Sequence, residues 1–123
     1  SILLSSDAGP NPFWRLRVYE DTRFTVGGEL DLTTDFTSTG LCLVDILNTS
    51  EVDVDGDIDL NAIGSGELEV RLSDDSFLRI GGDFLRAASP NNFGEMDASG
   101  GNGTVEYKGT ATQVIAEDAG GGR

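Results

Sequence analysis

Histidine is missing from this 123-residue sequence, and cysteine, methionine and tryptophan each occur once. Without an imidazole there is no histidine base, which excludes the Ser-His-Asp and Cys-His types of catalysis. A zinc site of Cys and His cannot be assembled, and the lone Cys42 has no partner for an internal disulfide. Cations are scarce: 8 Lys plus Arg stand against 22 Asp plus Glu, a formal charge of −14. Such a surface repels phosphate backbones and anionic headgroups, so nucleic acid is not an expected partner. No apolar run approaches the ~20 residues of a membrane-spanning helix, so membrane insertion is not expected. Neither an N-terminal Met nor a signal-peptide pattern is present, which reads as a processed chain or a segment of a longer one. The length suits a single domain with a modest core.

What is abundant points to β-structure. Seventeen glycines, many Thr, Ser, Asn and Asp, and weak helical periodicity throughout describe an all-β chain rich in turns. One stretch, Glu51–Ala62 (EVDVDGDIDLNA), admits two readings. It places Glu51, Asp53 and Asp55 at positions 1, 3 and 5 of an EF-hand loop and Gly56 at position 6. Position 12, however, is Ala62, which has no side-chain oxygen. The same residues alternate apolar and acidic, through Val52, Val54, Ile58 and Leu60, as a half-buried strand does.

An internal repeat decides between them. The windows Trp14–Gly28 (WRLRVYEDTRFTVGG), Cys42–Gly56 (CLVDILNTSEVDVDG), Leu68–Gly82 (LEVRLSDDSFLRIGG) and Glu95–Gly109 (EMDASGGNGTVEYKG) align without gaps. Their closing glycines lie 28, 26 and 27 residues apart. The apolar positions recur in every copy while the EF-hand carboxylates do not, so the strand reading is preferred. A period near 27 residues with three short β-segments predicts a parallel β-solenoid of about four coils, spanning residues 14–116. Residues 1–13 form an N-terminal lead or cap, with SILL a candidate donated strand, and residues 117–123 a flexible tail. The alternative fold is an antiparallel β-sandwich, in which the period would be accidental.

Stacking in this register makes columns. Arg17, Asp45 and Arg71 alternate in sign, as do Asp53, Arg79 and Glu106, and Arg23 falls on Glu51; such cross-strand pairs contribute about 0.2–1 kcal/mol each. Leu16/Val44/Val70 and Leu30/Ile58/Phe84 are expected inward, with Trp14, Cys42 and Leu68 in a further inward column. In the last copy Asp97 and Ser99 take inward positions, the mark of a partial or capping coil. The repeated turns Glu20–Thr22, Asn48–Ser50 and Asp74–Ser76 suit Asx- and Ser/Thr-capped corners. Two acidic columns lack relief: Glu29/Asp57/Asp83, and Asp31 beside Asp59. Calcium is the candidate cofactor for these five carboxylates, and plain solvation the competing account. Leu41 and Leu43 break the outward pattern and, with Ile2, Leu3 and Leu4, are the candidate interface. Catalysis is not expected, since the acidic pair Asp74–Asp75 repeats a turn and four coils give a short groove.

The segment Gly101–Ile115 (GNGTVEYKGTATQVI) resembles a phrase common in very large repetitive surface proteins of Bacteroidota, in which Gly-Thr-Val-x-Tyr-x-Gly precedes Gln and an apolar pair. The x-apolar-x-apolar-Gly-Gly-x-apolar copies are similar to the coils of the same proteins. The resemblance implies an exported, cell-surface or extracellular protein of adhesin or gliding-adhesin type and carries no ligand or catalytic residues with it. The expectation is therefore a structural shaft or filament segment that associates with itself. A calcium-dependent module binding surface glycans is the alternative.

Overall fold

A computed structural model describes residues 2–7, 13–36, 41–64, 67–86, 93–100 and 102–114. These residues contain strands and no helix. The strands are β1 (Ile2–Asp7), β2 (Phe13–Val18), β3 (Arg23–Val26), β4 (Leu30–Phe36), β5 (Leu41–Ile46), β6 (Glu51–Val54), β7 (Ile58–Gly64), β8 (Glu67–Ser73), β9 (Phe77–Ile80), β10 (Phe84–Arg86), β11 (Phe93–Gly100) and β12 (Thr104–Tyr107). The chain visits three sheets in turn. The first has the order β1-β2-β5-β8-β11, the second β3-β6-β9-β12 and the third β4-β7-β10. Every ladder is parallel except β1 on β2. The antiparallel sandwich is therefore not the fold. The sheets remain three separate ladders.

Each passage through the three sheets makes one layer, and the layers stack with equivalent residues in register. Leu16 pairs Val44 and Val44 pairs Val70 in the first sheet. Val52 pairs Leu78 in the second, and Ile58 pairs both Leu30 and Phe84 in the third. Period-2 alternation sends these side chains to one face of each sheet, and the three faces meet in one apolar cluster. Each fully buried side chain there contributes roughly 1.5–3 kcal/mol. Slipping any strand by one residue would turn its set outward, which is what fixes the register. The stretch that resembled an EF-hand loop is strand β6, a corner at Asp55–Gly56 and the start of β7.

Burial tapers toward the first layer. Leu68 is fully buried and Cys42 partly so, while Trp14, the next member of their column, is 54 % exposed. Trp14 is therefore not the core residue its alternation predicts. The cause is position: Leu16, Phe24, Val26, Leu30 and Leu32 of the same layer are likewise only partly buried, because no further complete layer lies beneath them. Below β2 alone the stack is extended, by antiparallel β1, whose Ile2 and Leu4 pair Val18 and Leu16. The apolar N-terminal segment thus joins its own chain's sheet.

The last copy corrects the alignment in another way. Gly94, not Glu95, stands opposite Leu68, and a bulge between Asp97 and Gly100 restores the expected register by Thr104. The extra residue lets Met96 fall in register with the inward Val70 and Asp97 with Arg71. Asp97 is thus not in register with Val70, as the gapless alignment had it. The tail at 117–123 lies outside the described residues.

Candidate functional surfaces

The corners between the first and second sheets stack on one side of the molecule. Six residues there have left-handed backbone, in three adjacent pairs: Glu20–Asp21, Asn48–Thr49 and Asp74–Asp75. None is glycine, and the conformation is costly for the β-branched Thr49 at φ 59°. Interlayer hydrogen bonds hold it: the Asp21 amide donates to the Asn48 carbonyl at 3.1 Å and the Thr49 amide to that of Asp74 at 2.9 Å. The serines that end these turns are fully buried. Ser76 Oγ accepts from the Ser73 amide within its own turn, and Ser50 Oγ accepts from Thr22 in the layer below, each at 3.1 Å. The exposed left-handed residues, with Asn102, line an open groove of about 630 Å³. Thr49 donates to the Asp21 carboxylate across it.

The outer face of the second sheet carries an alternating charge ladder. Arg79 in the third layer reaches a carboxylate above and one below, Glu106 and Glu51, each at 3.0 Å. Arg23 in the first layer binds Asp53 at 3.0 Å and lies 3.8 Å from Glu51, both in the layer above it. Lys108 binds Asp53 and reaches Asp55 at 2.8 Å. Hydrogen bonding from Lys108 holds the Asp53 carboxyl below the usual range; burial opposes this and Arg23 reinforces it. The same contacts with Asp53 and Asp55 raise Lys108. Burial alone would lower Arg79, but Glu51 and Glu106 outweigh it and raise the group. On the first sheet Arg17 binds the buried Asp45 at 2.9 Å, and Arg71 binds Glu69 two residues back in its own strand.

Two of the candidate metal-binding carboxylates, Asp57 and Asp83, have backbone partners. Asp57 accepts from the Asp83 amide at 2.7 Å, and Asp83 accepts from the Val114 amide at 2.8 Å. Each side chain thus caps the next layer at the corner between the second and third sheets. Glu29 occupies that corner in the first layer, exposed, and Asp31 stands opposite Asp59 in the third sheet. Among the described residues no three acidic, Cys or His side chains converge as metal ligands do.

Of the candidate interface, Leu43 is only 1 % exposed and stands outside the main core cluster. It is covered within this chain and offers no open patch. The backbones of Ile2, Leu3 and Leu4 lie in β1 and that of Leu41 in β5; their side chains fall outside the described residues.

The fourth layer ends differently from the others. At this corner the Gly56 amide donates to Gly28 and that of Gly82 to Gly56, each at 2.9 Å. The Gly109 amide instead donates to the Gln113 side-chain oxygen at 2.9 Å. The Gln113 amide nitrogen donates to the carbonyls of Ile80 and Gly82. One carboxamide thus occupies a rung of the backbone ladder. Val114 then accepts from the Phe84 amide at 2.9 Å, which brings the segment 112–114 over β10. This cap was not legible from periodicity, since a lone Gln in a polar stretch carries none.

Comparison of the chain with protein-family models, with curated proteins and with solved structures finds no match in any of the three.

Proposed function

We propose that this chain is a parallel β-solenoid of four coils acting as a structural shaft segment of an extracellular surface fibre or adhesin. One observation carries the reading: three sheets are stacked in common register from layer to layer over a continuous apolar core. Such an arrangement is quasi-one-dimensional, since each layer contacts its neighbours, and stiffness follows from continuous ladders. The ends of the ladders are unpaired edges, which template further pairing. The acidic excess keeps the rods apart laterally. Nothing in this design requires catalysis, and the outer faces are occupied by ion pairs and backbone caps.

The reading is tested by electron microscopy of the full chain over a concentration series, with calcium and with a chelator. Rods growing in axial steps of about 19 Å, four strand spacings, are expected at high concentration, with no calcium dependence. Particles that never associate axially, together with an unfolding midpoint that rises on adding calcium, would instead support the glycan-binding or calcium-dependent module.

A further inference from the structure

The two ends of the stack differ, and the difference points to a head-to-tail contact that the N-terminal strand controls. At the upper end β11, β12 and the segment 112–114 finish in the same layer. At the lower end β3 and β4 are edge strands, while β2 carries one strand more. That extra strand, β1, sits where a further layer would place the next parallel strand of the first sheet. Without it, both ends are level.

Two features of the lower end have no use in an isolated chain. The first is glycine at position 28. A Cβ on Gly56 would lie 3.0 Å from the Gly28 carbonyl, and one on Gly82 or Gly109 would collide with the layer beneath it. A Cβ on Gly28 would meet nothing within 4 Å. Glycine there is required only when another layer lies below.

The second feature is charge. Arg79 is paired to carboxylates on both sides, whereas among the described residues Arg23 has them only above and Glu106 has its cation only below. Continuing the register by one layer would set Thr104–Tyr107 of a second copy under Arg23–Val26. Val105 would then fall opposite Phe24 and Tyr107 opposite Val26. Arg23 would stand diagonal to Glu106, the relation it already has to Asp53. The alternation of sign would pass unbroken from one molecule into the next.

We infer that the lower end of β2, β3 and β4 is a docking surface for the upper end of a second copy of this chain, and that β1 competes with the incoming β11 for the edge of β2. This rests on the shaft reading and adds to it a defined surface and a cap. An antiparallel strand ends the first sheet, and its release opens the growing end.

The test is sedimentation velocity on the full chain over a concentration series, with circular dichroism alongside. The cap is disrupted by Leu3→Pro with Leu4→Pro. Adjacent amides of a strand point to opposite edges, so one of the two prolines removes a bond to β2. This variant is expected to associate at about tenfold lower concentration than the unsubstituted chain. Adding Gly28→Val should abolish association while leaving the spectrum and unfolding midpoint of its parent unchanged. Adding Arg23→Glu should weaken association by up to about fivefold, and mixing with Glu106→Arg chains should recover it. If the prolines unfold the chain, Ser5→Pro with Ser6→Pro tests the cap farther along β1. Gly28→Val in the otherwise native chain tests the surface without touching β1. Equal association thresholds with and without β1 would overturn the cap while leaving the shaft intact. Association unaffected by Gly28→Val, or dimers that grow no further, would overturn the surface. Absence of axial rods for every variant would overturn the shaft reading itself.

Discussion

Single residues at the corners hold the layers together. Ser76 is fully buried and satisfies the Ser73 amide. Ser76→Ala leaves that donor without its partner and is expected to cost about 1–3 kcal/mol in urea unfolding. Thr49 has the opposite sign of effect. Its left-handed backbone disfavours a β-branched side chain, while asparagine adopts that region readily. Thr49→Asn should therefore raise stability by about 1 kcal/mol, measured in the same way. These turns were legible in the sequence as Asx and Ser/Thr corners, but their left-handed pairs were not. Turn composition identifies a bend, and the hydrogen bonds that hold its dihedrals come from the neighbouring layer.

At the scale of elements, the columns were legible because alternation and a gapless repeat fix register: Leu16/Val44/Val70 and Leu30/Ile58/Phe84 stand as the sequence predicts. What period alone could not give was where the stack stops. Trp14 obeys the alternation and yet is exposed, since only the single strand β1, and no complete layer, lies below it. Asp97 stands opposite Arg71 rather than Val70, through a bulge that the gapless alignment could not contain. The carboxylates of Asp57 and Asp83, read as unrelieved charge, accept backbone amides that only the third dimension brings near. At the upper corner Gln113 substitutes for a rung of backbone. Gln113→Leu keeps similar bulk but removes these bonds. It should cost about 1 kcal/mol and speed amide exchange at Gly109, with exchange in β6 unchanged.

For the whole molecule, stability follows the layered core and the charge ladder on the second sheet. Ile58 is central in its column and fully buried, so Ile58→Ala should cost about 2–5 kcal/mol in chemical unfolding. The ladder sets the pH dependence. The folded-state pKa of Asp53 is depressed, so its contribution is present above the ordinary carboxyl value of about 3.9 and is lost as pH falls through the folded value. Lys108 is raised, so its contribution is present below about 10.4 and is lost as pH rises through its folded value. Asp53→Asn should flatten the acid limb of a melting-temperature profile and leave the neutral plateau lower. The central claim is that consecutive passages of the chain stack in parallel register, since both the shaft and the end-on contact depend on it. Nuclear Overhauser contacts in isotopically labelled chain test it most directly. Val44 is predicted to contact both Leu16 and Val70, and Ile58 both Leu30 and Phe84, with backbone contacts of the parallel type. Antiparallel contacts between β2 and β3, or between β5 and β6, would contradict the account.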